Sequence, residues 1–181
     1  MSIKRPKLKI TWPTRNDLEA MVDIYNQAIR SGVATGHNRE FTRAARWAWY
    51  KSHDRMTFPL YMMTYEKKVI GYGTLSPYRP GRQAMRNIAE VSFFIDEKYQ
   101  GKGYGKILLQ HIINDCKRVK IKTLIAILLD VNKRSIRLLK KFGFQKWGHF
   151  PDVVEFPDKT CGQLIYGKKI TEDDFVELIF V

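Results

Sequence analysis

Apolar positions recur along this chain with two different periods, and the switches between the periods predict its elements. Between residues 18 and 29, Leu18, Met21, Val22, Tyr25 and Ile29 follow the i, i+3, i+4, i+7 spacing of an amphipathic helix. Thr14 or Asn16 can cap that helix, and Gly32 can stop it. The Trp-rich residues 41 to 50 read as a shorter helix with Trp47 and Tyr50 on one side. Leu60–Tyr65 and residues 69 to 75 are β-rich runs. Glu66-Lys67-Lys68 joins them as an antiparallel hairpin without the favoured Asn-Gly turn. Residues 76 to 86, with Pro77, Pro80 and Gly81, read as a loop, and Ile88–Ile95 as the next strand. A glycine-rich stretch, Gln100-Gly101-Lys102-Gly103-Tyr104-Gly105, then opens a helix with the stripe Ile107, Leu108, Ile112 and Cys116. Thr123–Leu129 is a continuous apolar run, as in a strand covered on both faces. Residues 135 to 142 predict a short helix, 144 to 149 a strand and 162 to 169 another. The order strand, glycine loop, helix, strand, helix, strand predicts an α/β (α+β) domain, a mixed sheet with helices against it.

Composition narrows this little. The 181 residues are 44% hydrophobic and 28% charged, which suits one domain over 1–181 with a core at about residues 8 to 170 behind a short basic tail. No repeat or low-complexity linker interrupts it. Met1 to Lys9 carries basic side chains but no apolar run, so neither a signal peptide nor a membrane span is read there, and a cytoplasmic protein is expected. Cys116 and Cys161 have no CxxC or CxxH spacing and read as buried thiols, with no metal expected.

Charge adds one real alternative. The net charge of +14 attracts polyanions, and both nucleic acid and a phosphorylated cofactor qualify. The basic residues are spread over several stretches rather than one run, so solvated helix faces explain them equally well. A basic nucleic-acid-binding module is therefore the rival reading from another class, although no aromatic-flanked basic patch accompanies it.

The glycine stretch carries the chemistry. A strand that ends in glycines and runs into a helix exposes unpaired N–H groups at the positive end of the helix dipole, which makes an anion site. Glycine lets phosphate oxygens approach the backbone and supplies φ above zero. Alone, the same stretch also fits an ordinary strand-to-helix turn. A P-loop would need Ser or Thr after the lysine, but Lys106 precedes Ile107. A dinucleotide-binding loop is weakened by its late position, though Asp130 lies where a ribose-binding acid would fall.

Gln100, Gly103 and Gly105 match the signature Gln/Arg-x-x-Gly-x-Gly/Ala, and the chain here resembles the GNAT superfamily of N-acetyltransferases. Ile24-Tyr25-Asn26 with Ala28-Ile29, Trp47, Val69-Ile70-Gly71-Tyr72, Ala89-Glu90-Val91-Ser92, Asn132 with Ser135-Ile136-Arg137-Leu138, and Gly143-Phe144 follow the order of its phosphinothricin acetyltransferase-like branch. The resemblance implies a mixed, mostly antiparallel sheet with helices on both faces. It also implies acetyl-CoA as cosubstrate, no metal, and a homodimer. The implied reaction is direct transfer of acetyl to the primary amine of a small amino-acid-like molecule, with a peptide or protein N-terminus as the alternative acceptor.

The same resemblance assigns residues. Phe93, Phe94 and Ile95 lie on the strand whose backbone pairs with pantetheine, while Gln100, Gly101, Lys102, Gly103, Tyr104, Gly105 and Lys106 form the pyrophosphate loop. Asn132 corresponds to a position that hydrogen-bonds the cofactor or acyl region; Lys140 and Lys141 either supply charge to CoA phosphates or are simply solvated. Alkyl amines, with pKa values of about 8 to 10, are ~90% or more protonated at neutral pH, so a base or water chain is needed. The resemblance makes Glu90, the acid of the Glu-Val-Ser segment beside the acetyl group, that base, acting directly or through water; the cost of burying an unpaired carboxylate on an apolar strand also favours a partner or a job. A strand-edge salt bridge of Glu90 with Arg82 or Arg86 is the structural alternative. A strand N–H near Phe93 would hold the developing oxyanion.

Several positions depart from the family pattern. Leu139 occupies a place where many relatives carry His or Tyr, so no general acid is assigned. Ala34-Thr35-Gly36-His37 replaces a Thr-Phe-Glu-like patch, and Met85 replaces an aromatic residue. Arg82 is retained and can clamp a substrate carboxylate, with Tyr78 nearby.

Overall fold

In the computed structural model, which describes residues 7–178, the strands are β1 (Leu8–Thr11), β2 (Leu60–Tyr65), β3 (Lys68–Pro77), β4 (Ile88–Ile95), β5 (Thr123–Leu129), β6 (Gln145–Phe156) and β7 (Lys159–Lys169). They form one seven-stranded sheet in the order β1-β2-β3-β4-β5-β7-β6. Every neighbouring pair is antiparallel except β4 and β5. The expected mixed, mostly antiparallel sheet is therefore present, and the basic tail up to residue 6 lies outside the described residues.

Helices cover both faces, because the sheet buries two distinct apolar sets. On one face α3 (Tyr104–Asp115) inserts Leu108, Leu109, Ile112 and Ile113, joined by Leu139 of α4 (Lys133–Lys141), against Leu75, Val91, Leu124 and Ala126. On the other, α1 (Leu18–Ser31) packs Met21, Ile24, Tyr25 and Ile29 against Leu60 and Tyr72, and α2 (Arg43–Lys51) adds Trp49 and Tyr50. Each fully buried Leu or Ile contributes roughly 1.5–3 kcal/mol of transfer free energy, so these stripes fix which face each helix presents.

Local signals set the ends. A 3-10 turn at Arg15–Asp17 precedes α1, where the Thr14 amide and hydroxyl donate to Asp17 at 2.7 and 2.6 Å. Gly32, at φ 64°, stops α1 in the left-handed conformation. The β2–β3 hairpin turns on Glu66 and Lys67 alone, at φ 48° and 70°. Two non-glycine residues thus adopt the sign of φ that two-residue hairpins prefer.

Three stretches differ from the sequence reading. β1 is too short to carry a period of its own and exists because β2 offers it a partner, Ile10 opposite Met63. β3 runs on to Pro77, and Gln83–Met85 makes one 3-10 turn inside the expected loop. β6 extends past Pro151 to Phe156, where a terminus at 149 was expected. Register shifts after Lys146 and Phe150, with Asp152 at φ 52°, let this edge strand absorb a proline that would end a central one.

Candidate active site

The one parallel junction makes the opening. β4 pairs with β5 only through Ile88, Ala89 and Glu90, against Thr123, Leu124 and Ile125. Beyond Glu90 the strands diverge, so from Val91 onward β4 has a strand partner, β3, on one side only. Into this fork opens a cleft of about 620 Å³, lined by Phe93, Phe94 and Ile95 of β4, by the glycine loop, and by Asn132 and Arg134 at the start of α4.

Backbone donors converge at the mouth of the fork. Gly103 caps α3 at φ 87°, and the first amides bonded into the helix are those of Lys106 and Ile107, both to the Gly103 carbonyl at 3.0 and 3.2 Å. The amides of residues 101 to 105 are left without a backbone partner among the described residues, at the positive end of the helix dipole. A Cβ built on Gly103 meets no atom within 4 Å and would project into open space. The loop itself is pinned. Gln100 donates its side-chain amide to the Ile95 carbonyl at 2.9 Å and accepts a bond from the Arg134 guanidinium. Gln27 of α1 holds the far side, donating to Asp96 at 3.2 Å and accepting from the Glu97 amide at 2.9 Å.

A second, smaller cavity of about 180 Å³ lies on the α1 and α2 face of the same strands. Side chains alternate along β4, so Ala89 and Val91 face the α3 core while Glu90, Ser92 and Phe94 face this cavity. Opposite them β3 contributes Tyr72, Thr74 and Ser76, and Phe94 lines both cavities. Glu90 is half-buried, makes no ion pair among the described residues, and has its pKa raised by burial. Neither Arg82 nor Arg86 neutralises it, so a salt bridge does not explain the carboxylate.

Aromatic and polar groups from the helices close this cavity. The Tyr25 hydroxyl sits 2.6 Å from His37 Nδ1 and 2.9 Å from the Thr35 hydroxyl. Arg46 of α2 lies over the rings of Trp49, Tyr25 and Phe41, 3.9, 4.9 and 5.3 Å from their centroids. His53 is buried behind the site, with Nδ1 2.9 Å from the Trp49 carbonyl, so Nδ1 carries the proton and Nε2 accepts from the Ser76 hydroxyl at 3.2 Å. Burial, with a smaller contribution from Arg46, holds the pKa of both His37 and His53 down, so both rings are neutral at physiological pH.

A forked parallel pair with free helix-terminal amides at its mouth accompanies a sequence match that decides the family: residues 18–144 fit the acetyltransferase (GNAT) family. The chain belongs to the GNAT family. It is 35% identical over 155 residues to the provisionally named phosphinothricin acetyltransferase YwnH of Bacillus subtilis (strain 168), a match covering 86% of this chain and 94% of that protein. It is 27% identical to the L-methionine sulfoximine/L-methionine sulfone acetyltransferase of Salmonella typhimurium, over 81% of this chain and 85% of that one. The structure of yncA, a provisionally named acetyltransferase from Salmonella typhimurium solved with its cofactor acetyl-CoA, superposes with a TM-score of 0.84 at 25% identity, over 92% of this chain and 95% of that one.

As a GNAT acetyltransferase the protein uses acetyl-CoA, and its cleft fits that donor on its own evidence. Five free amides and a glycine whose missing Cβ leaves the approach open suit a pyrophosphate. The unpaired edge of β4 suits the amides of a pantetheine arm, which need backbone partners. Among the described residues no group of three or more His, Cys, Asp or Glu side chains could hold a metal ion, and no helix is long and apolar enough to cross a membrane.

Most of the residues singled out in the sequence come together here. Phe93, Phe94, Ile95, Gln100, Gly101, Gly103, Gly105, Lys106 and Asn132 line the cleft. Asn132 also has a local task, since its side chain caps α4 by accepting from the Ser135 amide at 3.1 Å. The side chains of Lys102 and Tyr104 pack instead on Tyr99, 5.3 and 6.1 Å away by centroid, and Lys141 is exposed outside the cleft. Tyr78 and Arg82 are not among the residues lining the Glu90 cavity, and Arg82 is exposed in the loop beyond it.

Sequence reasoning missed two cations. Arg134, in the first turn of α4 and bonded to Gln100, lines the cleft beside Lys106, whereas Lys140 and Lys141 are exposed outside it. Its nearness to Asn132 in sequence was the available signal. Arg46 had none, because nothing local ties residue 46 to residue 90.

Proposed function

We propose that this protein transfers the acetyl group of acetyl-CoA to the primary amine of a small amino-acid-like molecule by direct attack, with Glu90 as the base. The observation that carries the reading is an unpaired, half-buried carboxylate at the point where β4 and β5 part, beside a cavity that shares Phe94 with the cofactor cleft. Acetyl-CoA supplies an acetyl group activated as a thioester. The chain's own residues do the rest. Residues 101 to 105 donate amides to the pyrophosphate and Arg134 adds charge there, which fixes the thioester end near the fork. Glu90 takes a proton from the incoming ammonium, directly or through one water, and the raised pKa brings its basicity closer to that of the amine. Amides of β4 beyond Glu90, near Phe93, are free to hold the oxygen that gains charge.

The relatives named for phosphinothricin and for methionine sulfoximine and sulfone support an amino-acid-like acceptor. Direct attack is supported by the thiols. Burial pushes the Cys116 thiol up to about 12 and raises that of Cys161, so neither offers a thiolate at neutral pH. A homodimer in the cytoplasm belongs to the same proposal. Trp147, Phe150 and Val153, exposed on the edge strand β6, support an assembly surface that light scattering would test.

A thiol-release screen with acetyl-CoA over amino acids, amino-acid analogues, polyamines and short peptides tests the acceptor. Turnover is expected with an amino acid or analogue; turnover confined to peptides or polyamines would overturn the proposal. A stable acetyl adduct on either cysteine after acetyl-CoA alone, seen by mass spectrometry, would overturn direct attack.

A further inference from the structure

The Glu90 cavity contains a matched pair of charges. Among the residues lining its 180 Å³, Arg46 and Glu90 alone are a permanent cation and a carboxyl group; the others are hydroxyl-bearing and aromatic. Neither is neutralised by an opposite charge of the protein. Arg46 forms no salt bridge with a carboxylate among the described residues, and neither does Glu90 with any base. A partly buried guanidinium without an anion keeps only its aromatic contacts to offset the loss of water, and the two charges do not meet to cancel.

The guanidinium is also held in place. It lies 3.9 Å from the Trp49 ring centroid and within 5.3 Å of the Phe41 centroid, with Tyr25 between them in distance. Stacking of this kind restrains the planar fork, which also touches the Tyr72 hydroxyl, while no carboxylate of the described residues pairs with it. The exposed Arg82, by contrast, is not on the cavity at all.

We infer that Arg46 is the carboxylate-binding residue of the acceptor site, so that the substrate class is a free α-amino acid, its ammonium directed at Glu90 and its carboxylate at Arg46. This rests on the reading of the small cavity as the acceptor site. An α-amino acid is a zwitterion whose two charges are one carbon apart, and a cavity with one cation, one carboxyl group and otherwise neutral walls is its complement. A polyamine would leave Arg46 facing a second cation. A peptide N-terminus would present it with a neutral amide.

The test compares each accepted amino acid with its own α-carboxamide, which keeps the amine and side chain and removes the charge. Wild-type kcat/KM is expected to favour the acid by about 10- to 100-fold, the worth of a charge-assisted bidentate bond. In Arg46→Gln that ratio should fall to near one, with Arg46→Lys intermediate because it keeps charge but loses the fork. CoA affinity measured by calorimetry shows that each variant is folded, and Arg46→Lys carries the test if Arg46→Gln does not bind CoA. Equal rates for acid and amide in the wild type, or an undiminished preference in both variants, would overturn the role of Arg46 and leave the acetyl transfer intact. Failure of the wild type to acetylate any amino acid or its amide, with CoA still bound, would overturn the proposed function and this inference together.

Discussion

The two cavities that meet at Phe94 are built by different means. The cofactor cleft depends mostly on backbone, the free amides of residues 101 to 105 and the unpaired edge of β4, and its principal parts lie within some twenty consecutive residues. The smaller cavity, proposed to take the acceptor, depends on side chains brought from α1, α2, β3 and β4, with Tyr25 and Arg46 far from Glu90 in sequence. Backbone recognition constrains few side chains apart from its glycines. Side-chain recognition can be rebuilt one residue at a time on an unchanged frame, so the second cavity can change its ligand while the first keeps its own.

The largest effect expected is on rate. Glu90→Gln preserves volume and hydrogen bonding but cannot accept a proton, so turnover should fall by ~10²–10⁴ with CoA affinity unchanged. The deficit should shrink as pH rises from about 6 to 10 and free amine becomes abundant without help. A steady-state profile with an acceptor from the screen measures both. A loss that persists at high pH would make Glu90 a scaffold residue, and the contrast between a binding cavity and a reacting one would disappear.

Next in size is the backbone cavity itself. Gly103→Val should weaken CoA binding by ~10²-fold, since valine resists φ near +87° and places two methyl groups in the space the pyrophosphate enters. Calorimetry with CoA, alongside a melt to confirm folding, gives the answer. Unchanged affinity in a folded variant would reduce the loop to a turn.

The same division explains what could be read from the chain. Helix α1, the glycine loop and strand β4 announced themselves because their signals are local: a 3.6-residue stripe from Leu18 to Ile29, three glycines in five residues, an apolar run broken by one acid. β1 and the outer half of β6 were hidden because each exists through a partner, Met63 for Ile10 and Cys161 for Val154, with Pro151 imitating a terminus. Within the site, Glu90 stood out as a charge in an apolar strand. Arg46 sits in a helix with other basic residues, and only the packing of α2 distinguishes it from Arg43, which remains exposed. Arg82 was singled out because the family pattern retains it, and it lies exposed in the loop outside the small cavity.

A carboxyl group with a structural task provides the control for Glu90. Burial opposes the ionisation of Asp174, but its hydrogen bonds outweigh burial and hold its pKa below the ordinary value. They come from Lys168 at 2.6 Å and from the Thr171 amide and hydroxyl at 2.9 and 3.1 Å. A depressed pKa stabilises the fold above the unfolded value and is lost as pH falls through the folded one. Asp174→Asn should therefore cost about 1–2 kcal/mol at pH 7, from the lost ion pair and cap. The penalty should shrink below about pH 4. Urea melts at pH 3 and 7 measure it; a penalty independent of pH would mean that only the cap matters.

The smallest effect is the most discriminating, because its sign is opposite at Glu90. There burial raises the pKa with no partner to offset it, so the folded state holds its proton more tightly than the unfolded chain does. Below both values the carboxyl is neutral in either state and costs nothing. As pH rises from the unfolded value, about 4.5, through the raised folded one, the wild type loses stability. Glutamine does not titrate, so Glu90→Gln should be more stable than wild type at pH 8, by under about 1 kcal/mol, and equal to it near pH 4. Paired urea melts at those two values decide the point. Lower stability of Glu90→Gln at pH 8 would mean that the folded protein supplies Glu90 with a partner after all. The group would then resemble Asp174, an anchor of the fold, and the acceptor cavity would have lost its base.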